Sequence, residues 1–156
     1  MCATFVLFAA LSDAQLHTKF GVLNGNALGN GVTEFLGVPY APQPERWTEA
    51  QPWTAPYAGG LRDATAHGRD CLRASNHGHG SQWSGSEDCH NLNLWLPSGG
   101  VNTTTPLMVW IHGGGLSYGS GNDDKFNGTQ LAAREGALVV TLNYRLQRSI
   151  LLLSRS

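Results

Sequence analysis

Residues 106–121 read PLMVWIHGGGLSYGSG, and no other stretch restricts the fold as much. Five apolar residues, Leu107 to Ile111, stop at His112 and run into Gly113, Gly114 and Gly115. The run is too short for a comfortable helix and contains β-formers, so it predicts a buried strand. Pro106 can begin that strand, because a first residue may lack a ladder donor. Backbone without side chains then follows directly.

Glycines in that position have a physical use. With no Cβ, they reach backbone conformations closed to other residues and let a ligand atom approach the main chain. Two neighbouring N–H groups can then face one point. An oxygen that becomes negative during acyl transfer needs donors at about 2.7–3.1 Å, fixed in advance. The competing reading is a plain glycine-rich turn between two elements. A dinucleotide or phosphate loop is disfavoured, since neither G-x-G-x-x-G with a following acidic residue nor a terminal Gly-Lys-Ser/Thr is present.

The chain has 156 residues, enough for one domain with a core. A net charge of −1 with 13% charged residues gives no basic footprint for nucleic acid or an anionic membrane. Residues 1–14 have the pattern of a secretory signal, with an apolar run from Ala3 to Leu11 too short to span a bilayer and small residues around a cleavage point after Ala14. Secretion removes Cys2 and leaves Cys71 and Cys89, an even pair in an oxidising compartment. A bridge between them would stabilise by about 3 kcal/mol on the chain-entropy model. The sequons at Asn102 and Asn127 fall in polar loops and mark expected glycosylation sites.

Short β-like runs at Phe20–Asn24 and Val32–Val38 suggest a hairpin or small meander. Residues 38–56, crowded with proline and tryptophan, predict an extended wrapping segment. Residues 57–90 read as loop. They hold His67, His77, His79 and His90 near the two cysteines, but the spacing fits no common zinc pattern, and no metal is expected. NLNLWL at Asn91–Leu96 alternates like a half-buried strand. Thr129–Glu135 predicts a short helix with Asn127 or Thr129 near its cap, and Ala137–Leu142 a third strand. Strand, glycine loop, helix, strand is an α/β order, with no internal repeat.

Four segments together carry a resemblance: FLGVPYA at Phe35–Ala41, SEDCHNLNLW at Ser86–Trp95, the glycine stretch, and VVTLNYRL at Val139–Leu146. The chain resembles the type-B carboxylesterases, the cholinesterase-like branch of the α/β-hydrolases, over roughly residues 16–146. The resemblance implies the N-terminal, β-rich part of a mixed α/β-hydrolase sheet, truncated, with residues 15–146 as a partial carboxylesterase domain. It implies that Gly114 and Gly115 donate two oxyanion-hole amides, that Cys71 and Cys89 form a disulfide, and that Arg46 and Glu87 make a buried ion pair. Two solvated charges are the blander alternative for that pair. His90 departs from the family's usual aliphatic residue, and Trp83 is expected to pack within its loop. The substrate class implied for the full-length family is a small carboxylic ester, with no cofactor.

The same resemblance places the nucleophile in a later strand–G-x-S-x-G–helix elbow, and the acid and histidine later still. Residues 147–156 do not follow the family. The nucleophile and base are therefore expected to be absent from this chain, which predicts an inactive piece of a secreted ester hydrolase. A non-catalytic, cholinesterase-like adhesion protein is the alternative, and a small secreted binding module a third reading. Val139–Leu142 is expected to form an open sheet edge and, with Ile150–Leu153, to promote aggregation.

Overall fold

The computed structural model describes residues 14–75 and 82–146. In chain order the strands are β1 (Gln15–Thr18), β2 (Gly21–Asn24), β3 (Asn26–Ala27), β4 (Thr33–Pro39), β5 (Leu61–Asp63), β6 (Arg73–Ser75), β7 (Gln82–Ser84), β8 (Asn91–Leu96), β9 (Leu107–Ile111) and β10 (Leu138–Leu142). One α-helix, α1 (Thr129–Glu135), lies between β9 and β10. The main sheet runs β3-β4-β8-β10-β9. Its pairs are antiparallel except β10–β9, the parallel pair that the glycine loop and α1 connect. A second sheet, β1-β2-β5, and a β6–β7 hairpin flank it.

Alternation along β8 and β10 sorts the main sheet into two faces. Leu92, Leu94 and Leu96 join Leu23, Phe35, Val38, Tyr57 and Ala64 in one core. On the other face Trp95 and Val139 pack with Val32, Leu36 and Ala132 of α1. Helix α1 starts after Gly128, where a Cβ would press on the Trp95 ring and on Val139 at 2.7 Å. Asn127 still contributes, since its Oδ1 accepts the Thr129 amide at 2.9 Å.

Several expectations change. Phe20–Asn24 and Val32–Val38 do not pair with each other; β2 lies in the smaller sheet and β4 in the main one. Residues 57–90 are not all loop, for they contain β5, β6 and β7. Residues 91–96 do not turn a polar face to water. Asn91 and Asn93 are buried, Asn93 completely. β10 is not an edge, because β8 and β9 pair with its two sides. The edge is β9, and it is not buried: its five residues are 39–65% exposed. Their apolar character identified the strand but not its surroundings. Ile150–Leu153, the rest of the 147–156 tail and residues 1–13 of the expected signal lie outside the described residues. Ala14, at the expected cleavage point, is buried and its carbonyl accepts the Gly25 amide at 2.8 Å.

Two outcomes follow from this packing. An uncharged apolar edge templates strand addition, and a lysine on it opposes that. Light scattering should show wild-type mass rising with concentration and Val109→Lys remaining a monomer over the same range. Burial holds the His90 ring below its ordinary pKa of 6.5, with Arg145 acting the same way and the Pro42 carbonyl opposing. On acidification the unfolded chain then takes up this proton before the folded one does. The stability due to a neutral His90 is thus fully present above pH 6.5 and lost as pH falls below it. In urea titrations across this range, His90→Gln should flatten the acid limb.

Candidate functional site

The loop after β9 leaves its sheet with two consecutive glycines at positive φ, Gly114 at 132° and Gly115 at 57°. Leu116 follows at 58°, a conformation that costs a non-glycine residue energy. A Cβ on Gly114 would collide with the Tyr118 carbonyl oxygen. The Gly114 carbonyl accepts the amides of Ser117 at 3.0 Å and Tyr118 at 3.2 Å, which curls the loop back on itself. Among the described residues, the amides of Gly114 and Gly115 donate to nothing. Gly115 is exposed and Gly114 half-exposed. Two adjacent backbone donors are thus left unused by any ladder at the head of the loop.

Both ends of the loop are tied down. His112 is buried, and its Nδ1 donates to the Gly113 carbonyl at 2.9 Å, which fixes the proton on that nitrogen. The His112 ring stacks on Tyr144 with centroids 4.3 Å apart, and the Tyr144 hydroxyl donates to the His112 carbonyl at 2.6 Å. At the far end, Gly121 donates its amide to Asn143 Oδ1 at 2.8 Å and accepts the Thr141 hydroxyl at 2.8 Å. Ser120 gives its hydroxyl proton to Asp70 at 2.6 Å. Asn93 accepts the Gly37 amide and the His67 Nδ1, and donates to Thr141 and Asn122. Asn143 continues to Asn91 at 3.1 Å, and its carbonyl accepts the Tyr40 hydroxyl at 2.7 Å. Burial raises the Tyr40 pKa, against Arg145, so that hydroxyl keeps its proton.

Sequence reasoning missed this network. The signal was present: two asparagines at alternate positions of a strand are poor strand formers, and both point to one face. It also passed over a G-x-S-x-G string at Gly115-Leu116-Ser117-Tyr118-Gly119. The surroundings differ from a nucleophile elbow, which puts its serine at a strand-to-helix turn. Here the positive φ falls on Gly115, Leu116 and Gly119 and not on Ser117, no α-helix follows before Thr129, and the Ser117 hydroxyl donates to the Gly115 carbonyl at 3.2 Å.

The other sequence-derived residues lie elsewhere. Cys71 and Cys89 are bonded to each other, buried, with Cα atoms 4.9 Å apart. Leu146 packs on them. Arg46 Nε donates to both Glu87 oxygens, at 2.8 and 3.0 Å. The pair is not buried: the arginine side chain is 70% exposed, so it contributes about 0–1 kcal/mol. Trp83 does not pack into a loop but stands 54% exposed on β7. Asn102 and Asn127 are exposed. Asn102 Oδ1 accepts both the amide and the hydroxyl of Thr104. His67 and His90 are separate, at 3.1 Å from Asn93 and 3.4 Å from the Pro42 carbonyl; His77 and His79 lie outside the described residues. Among the described residues no helix is long and apolar enough to cross a membrane.

Comparison with known proteins agrees with this geometry. Residues 12–148 match the model of the carboxylesterase family. The chain is 38% identical over 148 residues to the fumonisin B1 esterase of Sphingopyxis macrogoltabida, covering 92% of this chain and 27% of that one. It is 43% identical over 146 residues to the phenmedipham hydrolase of Pseudarthrobacter oxydans, covering 83% and 27%. The fold superposes on the Geobacillus stearothermophilus carboxylesterase EST55 with a TM-score of 0.73 at 33% identity, over 86% of this chain and 26% of that one. The chain thus spans about a quarter of the length of the relatives it matches. With the N-terminal part of the α/β-hydrolase sheet, its glycine loop and the family match in agreement, the chain belongs to the carboxylesterase family.

Proposed function

We propose that these residues are the N-terminal part of a secreted carboxylic-ester hydrolase, in which Gly114 and Gly115 hold the oxyanion of an acyl-serine reaction. The observation that carries this is the pair of unused, preset amides at those glycines. When a nucleophile adds to an ester carbonyl, negative charge moves onto the carbonyl oxygen. Donors fixed in place beforehand need no reorganisation at that moment. The adhesion reading has no use for such donors. The nucleophile, its base and the acid that orients the base belong to further sequence of a family-length protein. Asn102 and Asn127 would carry glycans in the secretory pathway, where the Cys71–Cys89 bond also forms. The substrate is a small carboxylic ester; no nucleic acid or membrane span enters the reaction.

The test is a chimaera in which residues 15–146 replace the matching quarter of the Bacillus subtilis para-nitrobenzyl esterase, which is 36% identical here. It should hydrolyse p-nitrophenyl acetate, and Gly114→Ala should lower kcat by about 10²–10³-fold with KM little changed. A folded Gly114→Ala chimaera with unchanged kcat would rule out the oxyanion role. The chain by itself should release no nitrophenolate above buffer and take no fluorophosphonate label. Labelling of Ser117 would show that a nucleophile lies within the glycine loop after all.

A further inference from the structure

Asn143 and Tyr144 are consecutive, directly after β10, and they hold opposite ends of the same loop. Tyr144 takes the beginning, through its 2.6 Å bond to the His112 carbonyl and the ring stack on His112. His112 in turn donates to Gly113, so the tether reaches the residue before Gly114. Asn143 takes the end, with Oδ1 accepting the Gly121 amide at 2.8 Å. Between these ties the loop is anchored by little apolar packing, for Leu116 and Tyr118 are 55% and 54% exposed.

We propose that Asn143–Tyr144 is a two-residue clasp that sets the separation of the ends of residues 112–121 and thereby aims the Gly114 and Gly115 amides. Neither side chain touches a substrate; both are positioning residues. The alternation of an extended chain makes this possible, because successive side chains leave it on opposite sides. The Asn143 amide is itself fixed, since its Nδ2 donates to Asn91 and its backbone amide to the Asn91 carbonyl. The clasp therefore transmits the placement of β8 and β10 to the loop. This rests on the oxyanion reading of the two glycines.

Residue-resolved hydrogen exchange on the whole chain at low micromolar concentration tests it. The reporters are the Ser117 and Tyr118 amides, bonded to the Gly114 carbonyl, and the Gly121 amide, bonded to Asn143. Tyr144→Phe keeps the ring stack and removes one hydrogen bond. It should speed exchange at Ser117 and Tyr118 about tenfold and leave Gly121 unchanged. Asn143→Ala should speed exchange at Gly121. Amides of the β8–β10 ladder report whether each variant is folded. If Asn143→Ala unfolds the ladder, the Tyr144→Phe result decides. Unchanged exchange at Ser117 and Tyr118 with the ladder intact would overturn the clasp. So would unchanged exchange at Gly121 in a folded Asn143→Ala chain, or a wild-type chain without ladder protection. These rates do not depend on ester chemistry. A clasp that holds while Gly114→Ala leaves the chimaera's kcat unchanged would remove the oxyanion reading alone.

Discussion

Asn93 is fully buried in the middle of a sheet, and a buried amide left without partners costs about 1–3 kcal/mol. That requirement shapes the candidate site. Asn93, Thr141, Asn91 and Asn143 lie on one face of β8 and its extension from β10, and no water reaches most of them. Their partners come from two directions: the end of the glycine loop, with Gly121 and Asn122, and the segment with His67 and Arg69, whose neighbours Gly68 and Asp70 in turn accept from Asn122. Such networks are cooperative when complete and expensive when broken. The loop end is therefore held at the sheet by the sheet's own polar demand.

The same face of the sheet changes character along its length. Under α1 it is apolar, with Trp95 and Val139 against Ala132. Two residues further along the same strand pair, at Asn93 and Thr141, it is polar. The division lets β10 serve two purposes: Val139 secures the helix that closes the β9–β10 connection, while Thr141 secures the loop at that connection's start. The disulfide and Leu146 close the edge of this region, and the Arg46–Glu87 pair lies over it at the surface. Its exposure leaves the main stabilisation to burial and to the covalent bond.

Much of this was legible in the sequence, for identifiable reasons. The strands at 91–96, 107–111 and 138–142 and the helix at 129–135 announce themselves through apolar period and length. The glycine triplet announces a place where backbone must do a side chain's work. Burial was harder. Leu107–Ile111 is as apolar as a core strand, yet it forms an exposed edge, because apolar sequence states a preference and neighbours decide whether it is met. Asn91 and Asn93 read as a solvent face, since alternation cannot tell water from a buried network. The ion pair was found in the right partners and the wrong environment. Positive φ at Leu116, which separates the Ser117 string from a nucleophile elbow, leaves no mark in composition.

The most direct measurement is glycine-selective ¹⁵N NMR of the chimaera with the para-nitrobenzyl esterase, before and after its active serine is phosphonylated by a fluorophosphonate. The phosphoryl oxygen then stands in for the oxyanion. If these amides hold the oxyanion, two glycine amide protons, assigned to Gly114 and Gly115 by substitution, move downfield as they begin to donate. Resonances that stay where they were on full phosphonylation would show that these amides face somewhere else.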